Sequence, residues 1–106
     1  MSFTGNEGAF ISLSEAAVLT SNYRNSGQPN PILGQFLGAE KLQDLLKQTD
    51  CVGLRIYYGK NAQGKPTIVV VGVDRNEDDI LTEEPLILDQ SMPCPPTCGH
   101  SNELNS

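Results

Sequence analysis

The first apolar pattern in the chain follows a helix-capping signal. Ser12 and Glu15 have the Ser-x-x-Glu spacing in which each side chain accepts a hydrogen bond from the other residue's backbone amide. The apolar residues beyond it recur at helical intervals, and Gly27 supplies a stop. They are Leu13, Ala16, Ala17, Leu19 and Tyr23. The pattern predicts a helix over about residues 13–25.

A second helix is predicted to begin at Asn30-Pro31, where asparagine is a good N-cap and proline suits the first helical position. Its apolar positions also follow helical spacing. They are Ile32, Leu33, Phe36, Leu37, Ala39, Leu42, Leu45 and Leu46. Gly38 is a point where this helix kinks or splits, and the helix is expected to end near Gln48.

From Cys51 the pattern changes to that of β-strands. Two runs rich in β-branched and aromatic residues, 51–58 and 66–73, flank a loop with glycine at both ends. They predict an antiparallel hairpin, with a possible short third strand at 85–89. The predicted fold class is therefore α+β, with two N-terminal helices packed on a small antiparallel sheet.

The hairpin register decides which residues share a face. If Tyr58 pairs with Thr67, the face that contains Leu54 and Ile56 is almost wholly apolar, and the helices are expected to cover it. The second face then forms a half-apolar interaction face. Its residues are Gly53, Arg55, Tyr57, Ile68, Val70 and Gly72. In this register Gly53 lies opposite Gly72. Such a pair indicates either a bend or bulge, or a notch that receives another chain or a ligand.

Length and charge narrow the picture further. A chain of 106 residues suits one domain, predicted at 11–90, with a flexible N-terminus at 1–10 and a Cys/Pro-rich tail at 91–106. Residues 74–89 contain seven acids and one base, within a net charge of −6. Nucleic acid and anionic membranes recruit basic clusters, so neither is expected as a partner. A basic protein surface or a cation fits this segment better.

The expected location is the cytoplasm. No run of about 20 apolar residues is present, and residues 1–10 lack the basic start and apolar core of a signal peptide. Three cysteines, an odd number, fit a reducing compartment better than a disulfide framework. Thiols are therefore the expected state.

Candidate metal ligands are concentrated in the tail. Cys94, Cys98 and His100 are zinc-type ligands, and Cys51 completes a set of four. Their spacing is irregular for a structural zinc site, because only one residue separates Cys98 from His100. A Cys94–Cys98 disulfide and free thiols remain as alternatives, with thiols favoured.

A calcium loop is a weaker candidate. Asp74, Asn76 and Asp78 place oxygens at alternate positions, but Asp79 stands where the turn glycine belongs and Pro85 where the bidentate glutamate belongs. The favoured alternative is a solvated turn in which the acids cap backbone amides.

Signals for catalysis are weak. The chain has one histidine and lacks both a Gly-x-Ser-x-Gly nucleophile elbow and a phosphate-binding loop. Arg55 and Tyr57 share a strand face and suit an anionic group, and the alternative explanation is snorkelling and stacking. We therefore expect no enzyme activity.

Four motifs carry a resemblance to a known family: Asn22-Tyr-Arg, Gly53-x-Arg-Ile-Tyr-Tyr, Val71-Gly-Val-Asp and Cys94-Pro-Pro-x-Cys. Read together they resemble a family of uncharacterised small bacterial proteins, from about residue 11 onwards. The resemblance implies a free-standing cytosolic protein with no assigned activity, substrate or cofactor.

The functional hypothesis that best fits these patterns is a non-enzymatic interaction module. It self-associates or binds another protein through the second sheet face. The alternative is a zinc-stabilised or zinc-sensing protein that uses the tail ligands.

Overall fold

The computed structural model describes residues 2–82 and 84–106, which fold into two compact units. One unit contains the N-terminal residues up to Gly8 together with Leu37–Ser91, and the other contains Ala9–Phe36 and Met92–Ser106. In chain order the elements are α1 (Leu13–Arg24), β1 (Gly34–Phe36), α2 (Ala39–Leu46), β2 (Cys51–Lys60), β3 (Pro66–Asp74), β4 (Ile87–Leu88) and β5 (Met92–Cys94). The α+β class is confirmed.

The first unit is built on a three-stranded antiparallel sheet with the order β2-β3-β4. The predicted hairpin and the short third strand are both present, the latter as Ile87 and Leu88 paired with Val71 and Val70. A tight turn closes the hairpin, since the Asn61 amide donates to the Lys65 carbonyl at 2.9 Å. β2 therefore runs two residues further toward the turn than the sequence indicated, whereas β3 begins at the predicted Pro66.

The expected register is wrong by one residue. Tyr58 pairs with Ile68 instead of Thr67, because Gly59 and Lys60 also join the ladder, opposite Thr67 and Pro66. A bulge between Cys51 and Gly53 then absorbs the offset at the other end of the strand. Turn geometry sets a hairpin's register, and a slip of one residue moves every side chain of one strand to the opposite face.

The corrected register separates the six residues of the predicted interaction face. Gly53, Arg55 and Tyr57 remain together on one face of the sheet, whereas Ile68, Val70 and Gly72 lie on the other. Val70 is only 1% exposed. A partner cannot reach Val70 without unfolding the sheet.

Helix α2 lies on the Gly72 side of the sheet. A methyl group added at Gly72 would lie 2.6 Å from Nε2 of Gln48, just beyond α2, and 3.1 Å from the Cys51 sulfur. Leu45 of α2 is buried, and it lines a pocket together with Leu88 of β4. The missing side chain at Gly72 therefore makes room for the helix end.

The predicted second helix is only half correct. Residues 39–46 are helical, but Gly34–Phe36 form β1, which pairs antiparallel with β5 in the second unit. The Leu33 amide also donates to the Cys94 carbonyl at 2.6 Å. A strand partner almost 60 residues downstream overrides the local helical pattern, and Gly38 becomes the N-cap of α2 instead of a kink.

Helix α1 has the predicted bounds to within one residue. The Ser12 hydroxyl accepts from the Glu15 amide at 3.1 Å and the Glu15 carboxylate accepts from the Ser12 amide at 3.3 Å, so the capping box is formed. In the same unit, Arg24 at the helix end donates to the carbonyls of Leu104 and Ser106 at 2.9 and 3.0 Å. The tail is thus joined to this unit by β5 and by Arg24.

Candidate functional site

The first unit contains all of the described apolar side chains that are fully buried. They are Leu45, Val70, Val71 and Val73. Many larger apolar side chains stay exposed in both units, and α1 buries none of its residues. Singly scattered exposed apolar residues are ordinary, whereas neighbouring ones mark a candidate binding surface.

Part of this surface lies on β2, the longest strand. Ile56 is 54% exposed, Tyr57 44% and Tyr58 94%. The strand order places β2 at the edge of its sheet, and among residues 2–82 and 84–106 no strand pairs with its outer side. An edge of this kind presents unpaired backbone N–H and C=O groups beside an apolar surface.

The N-terminal segment covers one end of that edge. The Phe3 amide donates to the Arg75 carbonyl at 2.9 Å, and Gly5 lies so close to β2 that an added methyl group would be 3.2 Å from the Val52 carbonyl oxygen. Gly5 also has a φ of +94°, which glycine adopts without strain. The flexible N-terminus expected from the sequence therefore contacts the sheet near Val52.

Between this segment and the strand runs an open groove of about 420 Å³. Its lining comes from the N-terminal segment, from β2 and from β3: Phe3, Gly5, Glu7, Val52, Gly53, Leu54, Arg55, Ile56 and Val73. The groove extends along β2 as far as Ile56. We define the free edge as residues 54–60 of β2.

Arg55 is held in place by an ion pair. Its Nη1 lies 2.5 Å from Oδ1 of Asp79, and the Tyr57 hydroxyl donates to the second oxygen of the same carboxylate. Asp79 follows β3 in the chain. It reaches this position because it forms an antiparallel bridge with Val73 of β3. The Phe3 ring lies 5.9 Å from the guanidinium carbon, within cation–π range.

The same contacts shift two pKa values. The hydrogen bond to Asp79 raises the pKa of Arg55 above its ordinary value, because the charged guanidinium is favoured beside a carboxylate. The hydrogen bond to Asp79 also raises the pKa of Tyr57, since the phenol must keep its proton to donate. The guanidinium stays charged, and the ion pair with Asp79 balances that charge, which makes Arg55 a poor receptor for a further anion.

The two glycines of the expected notch do not face each other. Gly53 pairs with Val73 at the bulge, and among the described residues no atom lies within 4 Å of where its side chain would begin. Gly72 pairs with Leu54 and is covered by Gln48 and Cys51. Gly53 therefore lies at a bulge, which was one of the two alternatives. The space beside Gly72 is occupied by Gln48 and Cys51 of the same chain.

The tail cysteines form a disulfide, so the expectation of free thiols is wrong for this pair. The Thr97 amide donates to the Pro93 carbonyl at 2.8 Å, and this turn brings the α-carbons of Cys94 and Cys98 to 4.8 Å. A bonded sulfur is not the thiolate that binds zinc. Disulfides persist chiefly in oxidising compartments, so this bond does not support the expected cytoplasmic location. That location stays a prediction.

The remaining proposed zinc ligands are distributed over both units. Cys51 is a free, half-buried thiol of the first unit, 3.2 Å from the Gly53 carbonyl oxygen, whereas His100 belongs to the second. Within the described ranges no group of three or more His, Cys, Asp or Glu residues has a metal-binding arrangement. The zinc hypothesis therefore applies to a reduced form of the tail.

The proposed calcium ligands form a capped turn. Oδ1 of Asp74 accepts from the amides of Asn76 and Asp78 at 2.9 and 3.1 Å, and the Asp74 amide donates to the Asp78 carbonyl. Acids capping backbone amides are the alternative that the sequence favoured.

Comparison with protein-family models, with curated proteins and with solved structures finds no match for this chain. The resemblance to small bacterial proteins therefore stays a prediction. No helix in the described parts of the chain has the length and apolar character needed to span a bilayer.

Sequence reasoning selected Arg55 and Tyr57 but missed Asp79 and Phe3, which hold Arg55. Phe3 is one of two aromatic residues in the polar N-terminus, residues 1–10, and this was the available signal. The open outer edge of β2 was also missed. Its status depends on the order of strands, and sequence does not show that order.

Proposed function

We propose that this protein is a non-enzymatic protein–protein interaction module whose docking element is the free edge, residues 54–60 of β2. A partner adds an extended strand beside β2 and gains backbone hydrogen bonds together with apolar contacts to Ile56 and Tyr58. The observation that carries the proposal is the ten-residue edge strand with three consecutive exposed apolar side chains.

The edge lacks most of the devices that protect edge strands. Natural edges are commonly shortened, interrupted by proline, or given inward-pointing charges. The free edge has one terminal lysine, Lys60, while Arg55 is tied to Asp79. The bulge at Gly53 twists only the end that the N-terminal segment already covers. The middle of the strand is left for pairing.

Peptide binding tests strand acceptance directly. The probe is a synthetic peptide with the sequence of residues 51–60 and serine in place of the cysteine. Hydrogen–deuterium exchange of the full chain is followed with and without the peptide, at a concentration at which sedimentation shows a monomer. We expect slower exchange for amides of β2 and little change in α1.

A matched peptide with N-methyl groups on alternate residues is the control, because it has the same side chains but cannot complete a ladder. Equal protection by both peptides, or none by either, would show that the edge does not accept a strand.

A further inference from the structure

We infer that the strand that docks on the free edge is β2 of a second copy of this chain. The inference rests on the proposed function and adds the identity of the partner. The two copies pair antiparallel about a twofold axis at Tyr57, which gives one continuous six-stranded sheet with the order β4-β3-β2-β2-β3-β4.

The axis position follows from the part of the edge that is free. The N-terminal segment occupies the Val52 end, and β2 ends at Lys60, so the available stretch is 54–60. Its midpoint is Tyr57. Pairing centred there uses the whole free edge of both copies, a ladder of about 24 Å at ~3.4 Å per residue.

Side-chain chemistry agrees with this register. With Tyr57 opposite its own copy, Ile56 lies opposite Tyr58 of the second copy, and symmetry repeats the pair. Aromatic against β-branched residues are among the favourable cross-strand pairs. Ile56 and Tyr58 are both exposed in the single chain, so pairing covers two of its exposed apolar side chains in each copy.

Charge also agrees with a second copy as the partner. In this register Lys60 lies opposite Leu54 of the other copy, and Arg55 lies opposite Gly59, so no like charges face each other. Arg55 is in addition neutralised by Asp79. An edge with little net charge and no acid of its own has no need of an oppositely charged partner.

The acidic residues Glu84 and Asp89, on either side of β4 in the sequence, stay far from their copies. Five strand spacings of about 4.8 Å separate β4 from β4 of the second copy, roughly 24 Å in all. Physiological salt screens charges beyond about 8 Å. Repulsion between the copies of Glu84 and of Asp89 therefore does not oppose this dimer.

The oligomeric state of the full chain tests the inference. Sedimentation is measured from micromolar to millimolar concentration for the wild type, for Ile56→Lys and for Val18→Lys. Val18 is the matched control, because it is β-branched and 59% exposed but lies on α1. We expect a concentration-dependent dimer that Ile56→Lys weakens by about tenfold or more, while Val18→Lys stays within about threefold.

Disulfide trapping tests the register in a Cys51→Ser background. Chains with Ile56→Cys and chains with Tyr58→Cys are oxidised separately and as a mixture. In the inferred register each new cysteine faces the other variant and lies about 8 Å from its own copy, beyond the reach of an unstrained disulfide. We therefore expect the covalent dimer mainly in the mixture.

Several results would overturn the inference. They are a strictly monomeric wild type, a dimer weakened by Val18→Lys but not by Ile56→Lys, and trapping that is as efficient in the separate samples as in the mixture. If the chain is monomeric but the β2 peptide still protects its edge, the proposed function stands and the partner is a different protein. If neither is seen, both proposals fail.

Discussion

The register of the hairpin makes a quantitative prediction at Val70. Val70→Ala removes two methyl groups from a side chain that is 1% exposed. At ~0.8 kcal/mol per buried methylene the transfer loss is about 1.6 kcal/mol, and the cavity adds up to about 1 kcal/mol. The free energy of unfolding should therefore fall by about 2 to 3 kcal/mol, a large share of the ~5–15 kcal/mol typical of a domain.

Urea denaturation measures this loss, and two valines serve as controls. Val69 is the neighbour of Val70 on the opposite face of β3 and is half-buried, so Val69→Ala should cost about 1 kcal/mol. Val18→Ala, on the exposed side of α1, should stay within about 0.5 kcal/mol. All variants are compared at one low protein concentration, so that association does not contribute.

The slipped register inferred from sequence places Val69, not Val70, against the helix. A larger loss for Val69→Ala than for Val70→Ala would therefore refute the face assignment. So would a loss at Val70 below about 0.5 kcal/mol, which is the range of ordinary surface substitutions.

Three further predictions concern other contacts. Gly72→Ala pushes a methyl group against Gln48 and breaks the hydrogen bond from that side chain to the Leu45 carbonyl. Urea denaturation should show that the free energy of unfolding falls by about 1 kcal/mol. Adding Gln48→Ala to the same chain should restore part of this loss, because it removes the clashing side chain. The hydrogen bond to Asp79 raises the pKa of Tyr57 above its ordinary value of 10.0, so its contribution to stability is complete below about pH 10 and is lost as the pH rises further. Wild type should therefore lose stability above that pH more steeply than Tyr57→Phe, as denaturation at several alkaline pH values would show. Thiol titration of the denatured chain should find one reactive thiol, Cys51, before reduction and three after it.

Each of these has a contrary outcome. Additive effects of the two substitutions at positions 72 and 48 would mean that contact between the added methyl group and Gln48 does not limit stability. Parallel pH profiles for wild type and Tyr57→Phe would mean that the hydrogen bond to Asp79 does not raise the pKa of Tyr57. Three thiols before reduction would mean that the tail is a dithiol and would return the zinc hypothesis to consideration.

The parts of the fold that sequence predicted are those set by neighbours in the chain. The capping box at Ser12 defines the start of α1 because all of its hydrogen bonds lie within three residues. The hairpin likewise follows from two β-rich runs and a short turn. In both cases the pattern contains the interaction that stabilises the element.

The parts that sequence missed depend on distant partners. Residues 34–36 have a helical apolar pattern, yet pairing with Met92–Cys94 makes them a strand. The register failed for a smaller reason, because two more residues at the turn joined the ladder. The candidate edge could be identified only from two structural facts. The strand order shows that β2 is an edge strand, and the observed register shows that Val70 is buried.

Each of the two units is made of two separate stretches of the chain, and this order affects how the chain folds. The hairpin closes across six residues, from Lys60 to Pro66, whereas β1 and β5 meet across sixty, from Gly34 to Cys94. A tenfold longer loop raises the entropic cost of closure by about 2 kcal/mol, and distant contacts form more slowly. During synthesis β2 and β3 emerge before β5, so the hairpin can form while β1 still lacks its partner strand. A newly made chain therefore exposes the outer edge of β2 before its second unit can assemble.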